Sequence, residues 1–374
     1  MKKPLLSYFC TMKDHRINRK KRHTLVNILA ITIVAIICNA ETWEDISDFG
    51  KFKKDFFSKF LDLKNGIPSK DTFRRFFAAL DPKVFEFHFS QWAQSLAKDI
   101  DKEFVSIDGK TIRQASRMRE GNPIHIVSAW ASHNELILGQ LKTDEKSNEI
   151  TAIPALLDAL FLEGATVSID AMGCQKEIVN KIVDKKADYV LALKGNQTTL
   201  LDDVIRSFDK KPCHAFCQTT DCGHGRVEVR KCSIITDLNF TLGRESWSNL
   251  QAIVRIDSQR YIKKRGENHE ETRYYITSLT LVEKIEEAIR RHWGVENKVH
   301  WCLDMVFGED SSSKREKFSA QNFSLINKIA LNLVRKNKEN DINNKRFREK
   351  MSMKAKRRFA CWFDDYLLEL LNLI

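Results

Sequence analysis

Two short stretches of this chain share one grammar: in FVSIDGKT an apolar run ends on Asp108, and in ATVSIDAMG it ends on Asp170. A carboxylate at the end of a buried strand is costly to desolvate unless a positive group compensates it. Two such carboxylates side by side repel each other, and divalent cations between them reverse the sign of that problem. Mg²⁺ or Mn²⁺ suits the donors, because hard cations take oxygen ligands and Mg²⁺ keeps several waters, so two or three carboxylates and a substrate phosphate suffice. Two ions about 3.5–4 Å apart activate an attacking oxygen and stabilise a leaving one in an in-line phosphoryl displacement. That chemistry asks for a third carboxylate, and the candidates are Glu296, Asp304, Glu309 and Asp310. Glu296 is the best placed, since RHWGVENKVHW puts His292, Glu296 and His300 on one helical face at i, i+4 and i+8. The plainer assignments are an aspartate capping the turn after its strand, and a His–Glu–His face that is a zinc or iron site or simply packed and hydrogen-bonded.

The elements around these residues decide whether they meet. Helical sequence fills the first hundred positions. Ser69 is an N-cap for a helix carrying Phe73, Phe76, Phe77 and Leu80, and Asp81-Pro82 opens another with Phe85, Phe89, Trp92 and Leu96 on one face. From Phe104 the pattern changes to short strands, EFVSID, HIVSAWA and LILGQLK, which predict an antiparallel meander. A helix in NEITAIPALLDALFL, the strand ATVSID, a helix in CQKEIVNKIVDKK and the strand DYVLALKG follow. The order β-β-β-α-β-α-β is that of an α/β ribonuclease-H-like core, in which the first and fourth strands are neighbours and Asp108 faces Asp170. Residues 198–283 read as a β-rich insertion, after which KIEEAIRRHWGVENKVHW resumes as helix and a basic helical tail ends the chain.

The 374 residues carry 62 Lys and Arg against 50 Asp and Glu, a net charge of +12 that favours a polyanionic partner, with solvated surface charge as the alternative. Hydrophobic content of 43% is enough for a sizeable globular core in two or three packed units. Nine cysteines without a paired framework fit a reducing compartment, hence the cytoplasm. Cys213, Cys217, Cys222 and His224 are a conceivable zinc set, but their spacing matches none of the strong zinc patterns. DHRINRKKRHT before LVNILAITIVAIICNA imitates a leader or anchor; the run from Leu25 to Cys38 is too short to span a bilayer comfortably and predicts a buried helix, with ETWEDISDF packed against it.

At these residues the sequence resembles the DDE transposases of the H-repeat-associated kind (ISAs-type insertion sequences). The resemblance is carried by AETWEDISDFGKFK, NGIPSKDTFRRFFAALDP, IDGKTIR, HIVSAWA, LGQLKTDEKSNEITAIPALL, IDAMGCQKEIV, DYVLALKGNQ, HGRVEVR and HWGVENKVHWCLDMVFGED, in order along nearly the whole chain. It implies a helical N-terminal associated domain (1–100), a ribonuclease-H-like catalytic domain (101–335) with the insertion, and the basic tail (336–374). It also implies that Asp108, Asp170 and Glu296 form a metal-binding catalytic triad. The wider group has Arg four before the glutamate and Lys seven after; here those places hold His292 and Leu303, in keeping with the HW-x-(I/V)-EN form of this subgroup.

DNA is the implied partner, both as terminal repeats and as target, with a homo-oligomer assembling on it at the bacterial nucleoid and no membrane involved. Lys110 and Arg113, near the first aspartate, are candidate phosphate holders. Lys194, Asn196 and Gln197 form a polar turn after the last core strand, while His224, Arg226 and Arg230 in the insertion are further DNA contacts, with Glu228 as an internal partner for that motif. His292 and Asn297 flank the glutamate on the DNA side. Trp293 and Trp301 are expected in the core, with stacking on a flipped base as the alternative. The function expected is cutting of transposon ends and joining of the 3′-hydroxyl to target DNA. A metal-dependent nuclease without strand transfer and a DNA-binding relic are the alternatives.

Overall fold

The computed structural model describes residues 4–17, 21–112, 124–143, 149–223, 225–239, 241, 243–264, 266–336 and 351–371. The N-terminal part is helical: α1 Leu5–Cys10, α2 Leu25–Ile37, α3 Trp43–Phe52, α4 Lys54–Phe57, α5 Lys70–Ala79 and α6 Pro82–Leu96. Helix α2 is buried almost all round, as its uninterrupted apolar run demands. Its two polar side chains are satisfied: Asn27 Nδ2 donates to the Asp62 carbonyl (2.7 Å) and Thr32 Oγ1 to the Ile28 carbonyl (2.8 Å). No described helix is long and apolar enough to cross a membrane. The predicted caps are present, with the Ser69 side chain accepting from the Thr72 N–H and Asp81 from the Lys83 N–H ahead of Pro82. Thr42 and Asp45 close a capping box at the start of α3.

The rest is built on one nine-stranded sheet. Strands β1 Phe104–Ile112, β2 Ile124–Ala131 and β3 Leu136–Lys142 form the antiparallel meander; α7 Glu149–Asp158, β4 Thr166–Ile169, α8 Lys176–Asp184 and β5 Asp188–Leu193 follow. After α9 Thr198–Lys210 come β6 Ala215–Gly223, β7 Arg226–Ile235, β8 Ala252–Ile262 and β9 Glu267–Thr277. The sheet order is β3-β2-β1-β4-β5-β9-β8-β7-β6, with β4 parallel to β1 and β5 parallel to β4. The four strands within 198–283 therefore prolong the sheet through the antiparallel β5–β9 pair.

The sheet buries both faces. One carries the main core, where Val105, Ile107, Val167 and Ile169 pack with residues of α2, α6 and α12 (Ser319–Lys336), and with Ala360, Leu367 and Leu370 from the two C-terminal helices Met353–Trp362 and Asp364–Leu371. The other is covered by α10 Val282–Gly294, whose Ile285, Ala288 and Ile289 meet Phe104, Val190 and the insertion residues Ile234, Val254 and Tyr275. Helix α10 runs into a π-helical turn, Val295–His300, and then α11 Trp301–Met305.

Candidate active site

Strand alternation sets the site. Ile107 and Ile169 are register partners facing the main core, so the next residue of each strand, Asp108 and Asp170, turns to the α10 face one strand spacing apart, about 4.8 Å. On that face Ser106 and Ser168 precede them. Their small side chains let α10 come close, and the Ser168 hydroxyl lies 3.2 Å from Ser106 Oγ and 3.0 Å from His292 Nδ1. Asp170 also caps a short turn, accepting from the Met172 N–H at 3.1 Å. The cap and the proposed ligand are thus one residue, because a carboxylate has two oxygens to share.

Glu296 completes the wall from the π turn, where the Trp301 N–H donates to the Glu296 carbonyl five residues back. Single π turns inside α-helices occur mostly at functional sites. Asp108, Asp170 and Glu296 line one cavity of about 490 Å³, together with Lys194, Arg273, His292 and Trp293. Burial pushes the Asp108 carboxyl up to about 7, and the charges of Glu149, Asp170 and Glu296 push the same way against the Gly109 N–H. Asp170 is raised by burial and by Glu149, while backbone N–H groups and Lys194 oppose. Burial holds the His292 and His300 imidazoles down to about 4, so both are neutral at physiological pH. His300 Nδ1, 3.6 Å from Asp108 Oδ2, is accordingly a neutral neighbour of that carboxylate.

A fourth acid belongs to this constellation. Glu149, at the start of α7, holds His125 Nε2 at 2.6 Å, and His125 Nδ1 lies 2.9 Å from Thr111 Oγ1. The glutamate lies so close against β1 that a Cβ on Gly109 would come within 2.0 Å of its Oε1 and 2.3 Å of His125 Nε2, so a side chain there would displace the pair. Among the described residues no three His, Cys, Asp or Glu side chains are gathered tightly enough to enclose a metal ion. The donor chemistry of the wall, hard carboxylate oxygens in mutual repulsion, fits Mg²⁺ or Mn²⁺. Cys213, Cys217 and Cys222 are strung along the edge strand β6 and its approach, and their candidate partner His224 lies outside the described residues.

Several expected DNA contacts do other work. Lys110, only 9% exposed, places its ammonium 2.7 Å from Asp304, 3.0 Å from Glu309 and 3.2 Å from Asp310. It is a buried counter-ion and not a phosphate holder, and it takes up the three acids that competed with Glu296. Asn196 Nδ2 donates to the Ala171 carbonyl (2.7 Å) and Gln197 Nε2 to the Cys174 carbonyl (3.0 Å), so this turn grips the loop after Asp170. Lys194 is exposed at the cavity. Arg230 pairs with Asp221 (3.0 Å) and buried Glu228 (2.9 Å), whereas Arg226 and Asn297 line a second groove of about 270 Å³ beside the acidic cavity. Arg113 lies outside the described residues. Trp293 and Trp301 are not in the core: they are 41% and 56% exposed, and Arg273 sits 4.7 Å from the Trp293 ring centroid at the mouth shared by the two hollows. Trp293 precedes the π turn and faces the two hollows rather than the sheet.

Comparison with known proteins agrees in extent. Residues 6–93 match the family described as DDE_Tnp_1-associated, and residues 99–333 match the transposase DDE domain. A putative protein YbfL and an H repeat-associated putative transposase YhhI, both of Escherichia coli, are each 39% identical over 99% of this chain and 98% of their own length. An inactive transposase, YbfQ, of the same organism is 44% identical over 20% of this chain and 87% of its own.

Proposed function

We propose that this chain, which belongs to the DDE transposase family, cuts DNA at the ends of a mobile element and joins the freed 3′-hydroxyl to target DNA. The observation that carries the reading is the convergence of Asp108, Asp170 and Glu296, from two neighbouring strands and a π turn, on one cavity wall. The strand order, with β4 and β5 parallel to β1 beside the antiparallel meander, supports a ribonuclease-H-like catalytic unit over 101–335. Residues 1–100 and 336–374 are its associated helical domain and basic tail. The family works with divalent metal ions, which when bound activate the attacking oxygen and stabilise the leaving one. Asp108, Asp170 and Glu296 would hold them.

The chain's own residues do the remaining work. Lys194, exposed at the cavity, neutralises a substrate phosphate, and Asn196 and Gln197 fix the loop that orients Asp170. Neutral His292, anchored on Ser168, offers hydrogen bonding without competing for the negative charge of the site. The net charge of +12 supplies salt-dependent affinity for DNA, consistent with action at the bacterial nucleoid and assembly of several copies on element ends. The test is linear DNA carrying the element's ends, incubated with Mg²⁺ or Mn²⁺ and wild-type or Asp170→Asn protein. Nicking and joining by the wild type, with binding but no nicking by the variant, is the expected outcome. Nicking without joining would make the protein a nuclease, and binding without nicking by the wild type would make it a relic.

A further inference from the structure

At the start of β1, four residues before Asp108, lies a separate hollow of about 710 Å³. Its walls come from the segment before β1, the turn between β2 and β3, the α10–π junction and the end of α12, and they carry six Lys and Arg side chains against two acids. Two buried donors in these walls have no acceptor among the described residues, Ser132 Oγ and Arg335 Nη1, although both residues are only 8% exposed. Orphaned buried donors are costly, and here they add to the surplus of cationic side chains in a hollow that suits an anion.

The site is built rather than incidental. Arg335 is fixed by its other terminal nitrogen, which donates to the Lys298 carbonyl and to Cys302 Sγ, and by the Trp130 ring 4.7 Å below its guanidinium. One arm of a rigid fork is left over, which is how arginine presents itself to an oxyanion. The turn bearing Ser132 is locked by the buried Glu103 carboxylate, which accepts the N–H groups of Phe104 (2.9 Å), His133 (2.7 Å) and Asn134 (2.9 Å). Lys102 stands exposed at the rim with no ion pair among the described residues, and Lys298 holds only a half-exposed bridge to Glu135 at 3.1 Å. The adjoining hollow sets Glu283, Glu286 and Glu287 against Arg290, Arg291 and Lys298, so its charges balance, whereas this one keeps a surplus of cations.

We infer that this hollow grips a backbone phosphate of DNA outside the catalytic cavity, an inference that rests on the DNA-cutting reading above. Three successive residues of the π turn make the connection: Glu296 faces the catalytic cavity, Asn297 the groove beside it and Lys298 this hollow. Four residues of extended strand separate Phe104 from Asp108, about 13 Å, so the hollow stands well away from the aspartates. The phosphate it would hold is therefore one away from the cut.

Full-length wild type, Ser132→Ala, Lys102→Gln and Lys102→Gln/Lys298→Gln are compared by fluorescence anisotropy on a labelled duplex carrying the element end, across a salt series. Thermal melts confirm that each variant is folded. The double variant is expected to bind roughly tenfold or more weakly, with its log–log salt slope reduced by about 0.9, the change for one phosphate that is no longer neutralised. Ser132→Ala is expected to bind more weakly at every salt concentration. Unchanged affinity and slope in folded variants, with wild type still nicking, would overturn this inference alone. Titration of inorganic phosphate or ATP that saturates the wild type but not the double variant, without displacement by duplex, would assign the hollow to a free phosphate and overturn it too. Wild type that neither binds nor nicks DNA would instead remove the reading on which the inference rests.

Discussion

Asp108 carries a stability penalty that follows from its burial among other acids. Its carboxyl titrates near 7 in the folded chain against 3.8 ordinarily, first because it is buried and then because three other acids surround it. A folded-state pKa above the unfolded one means that the folded state binds the extra proton, so this group's contribution is intact below about pH 4. It is lost progressively as pH rises to about 7. Asp108→Asn, which cannot ionise, is therefore expected to raise the melting temperature measured in EDTA at pH 8 and to leave it unchanged at pH 4. An equal shift at both pH values would show that charge is not the cause. The two aspartates stand out in the sequence because a charged residue closing an apolar strand needs a compensating partner, although a turn cap, which Asp170 also forms, is the plainer assignment. Glu149 does not, because nothing local marks a helix-start glutamate as one that reaches back to Gly109, and only the packing of α7 against the sheet puts it there.

The strands and helices follow from periodicity and caps, and the neighbouring of β1 and β4 follows from their order, but partners far apart in sequence do not. Lys110 reads as a DNA contact until Asp304, Glu309 and Asp310, some two hundred positions later, are brought to it by the π turn and α11. Beyond them, fully buried Lys328 of α12 donates to Gln140 Oε1 (2.7 Å) and Ser324 Oγ (2.9 Å), while Gln140 and Gln321 both donate to Glu86 of α6. Strand, returning helix and N-terminal domain are thus tied by one polar network beneath the site. Removing one partner of a buried charge cluster leaves the others uncompensated, which is worse than never having had them. Lys110→Met is expected to cost about 3–5 kcal/mol in denaturant unfolding. Adding Glu309→Gln to it should recover part of the loss, because one orphaned carboxylate is then neutral; purely additive losses would mean that the ammonium matters by packing alone.

Over the whole molecule, the three stretches that the sequence separates share one main core. Ala360, Tyr366, Leu367 and Leu370 of the last two helices pack in the same cluster as α2 and the sheet. Arg357 is the clearest tie. Only its planar fork reaches three carbonyls at once: Nη2 donates to Ile36 (2.7 Å), Nε to Ile37 (3.3 Å) and Nη1 to Val306. The first two lie at the C-terminal end of α2, where the Ile36 carbonyl also accepts the Asn39 N–H at 3.2 Å and the Ile37 carbonyl takes the arginine, so the tail adds to the capping of a helix about three hundred residues earlier. Each buried acceptor left alone costs about 1–3 kcal/mol. Arg357→Ala leaves the Ile37 and Val306 carbonyls alone and is therefore expected to lower unfolding free energy by at least about 2 kcal/mol, and Arg357→Lys should not restore it, since an ammonium lacks the fork geometry. Hydrogen exchange should localise the loss to the amides of α2 and the last helices, leaving β6–β8 as protected as before, because those strands form the far edge of the sheet, beyond β5 and β9. If exchange instead rose uniformly, the tail would be part of one indivisible unit with the insertion. Exchange rising in the tail alone would make it an appendage on which α2 does not depend.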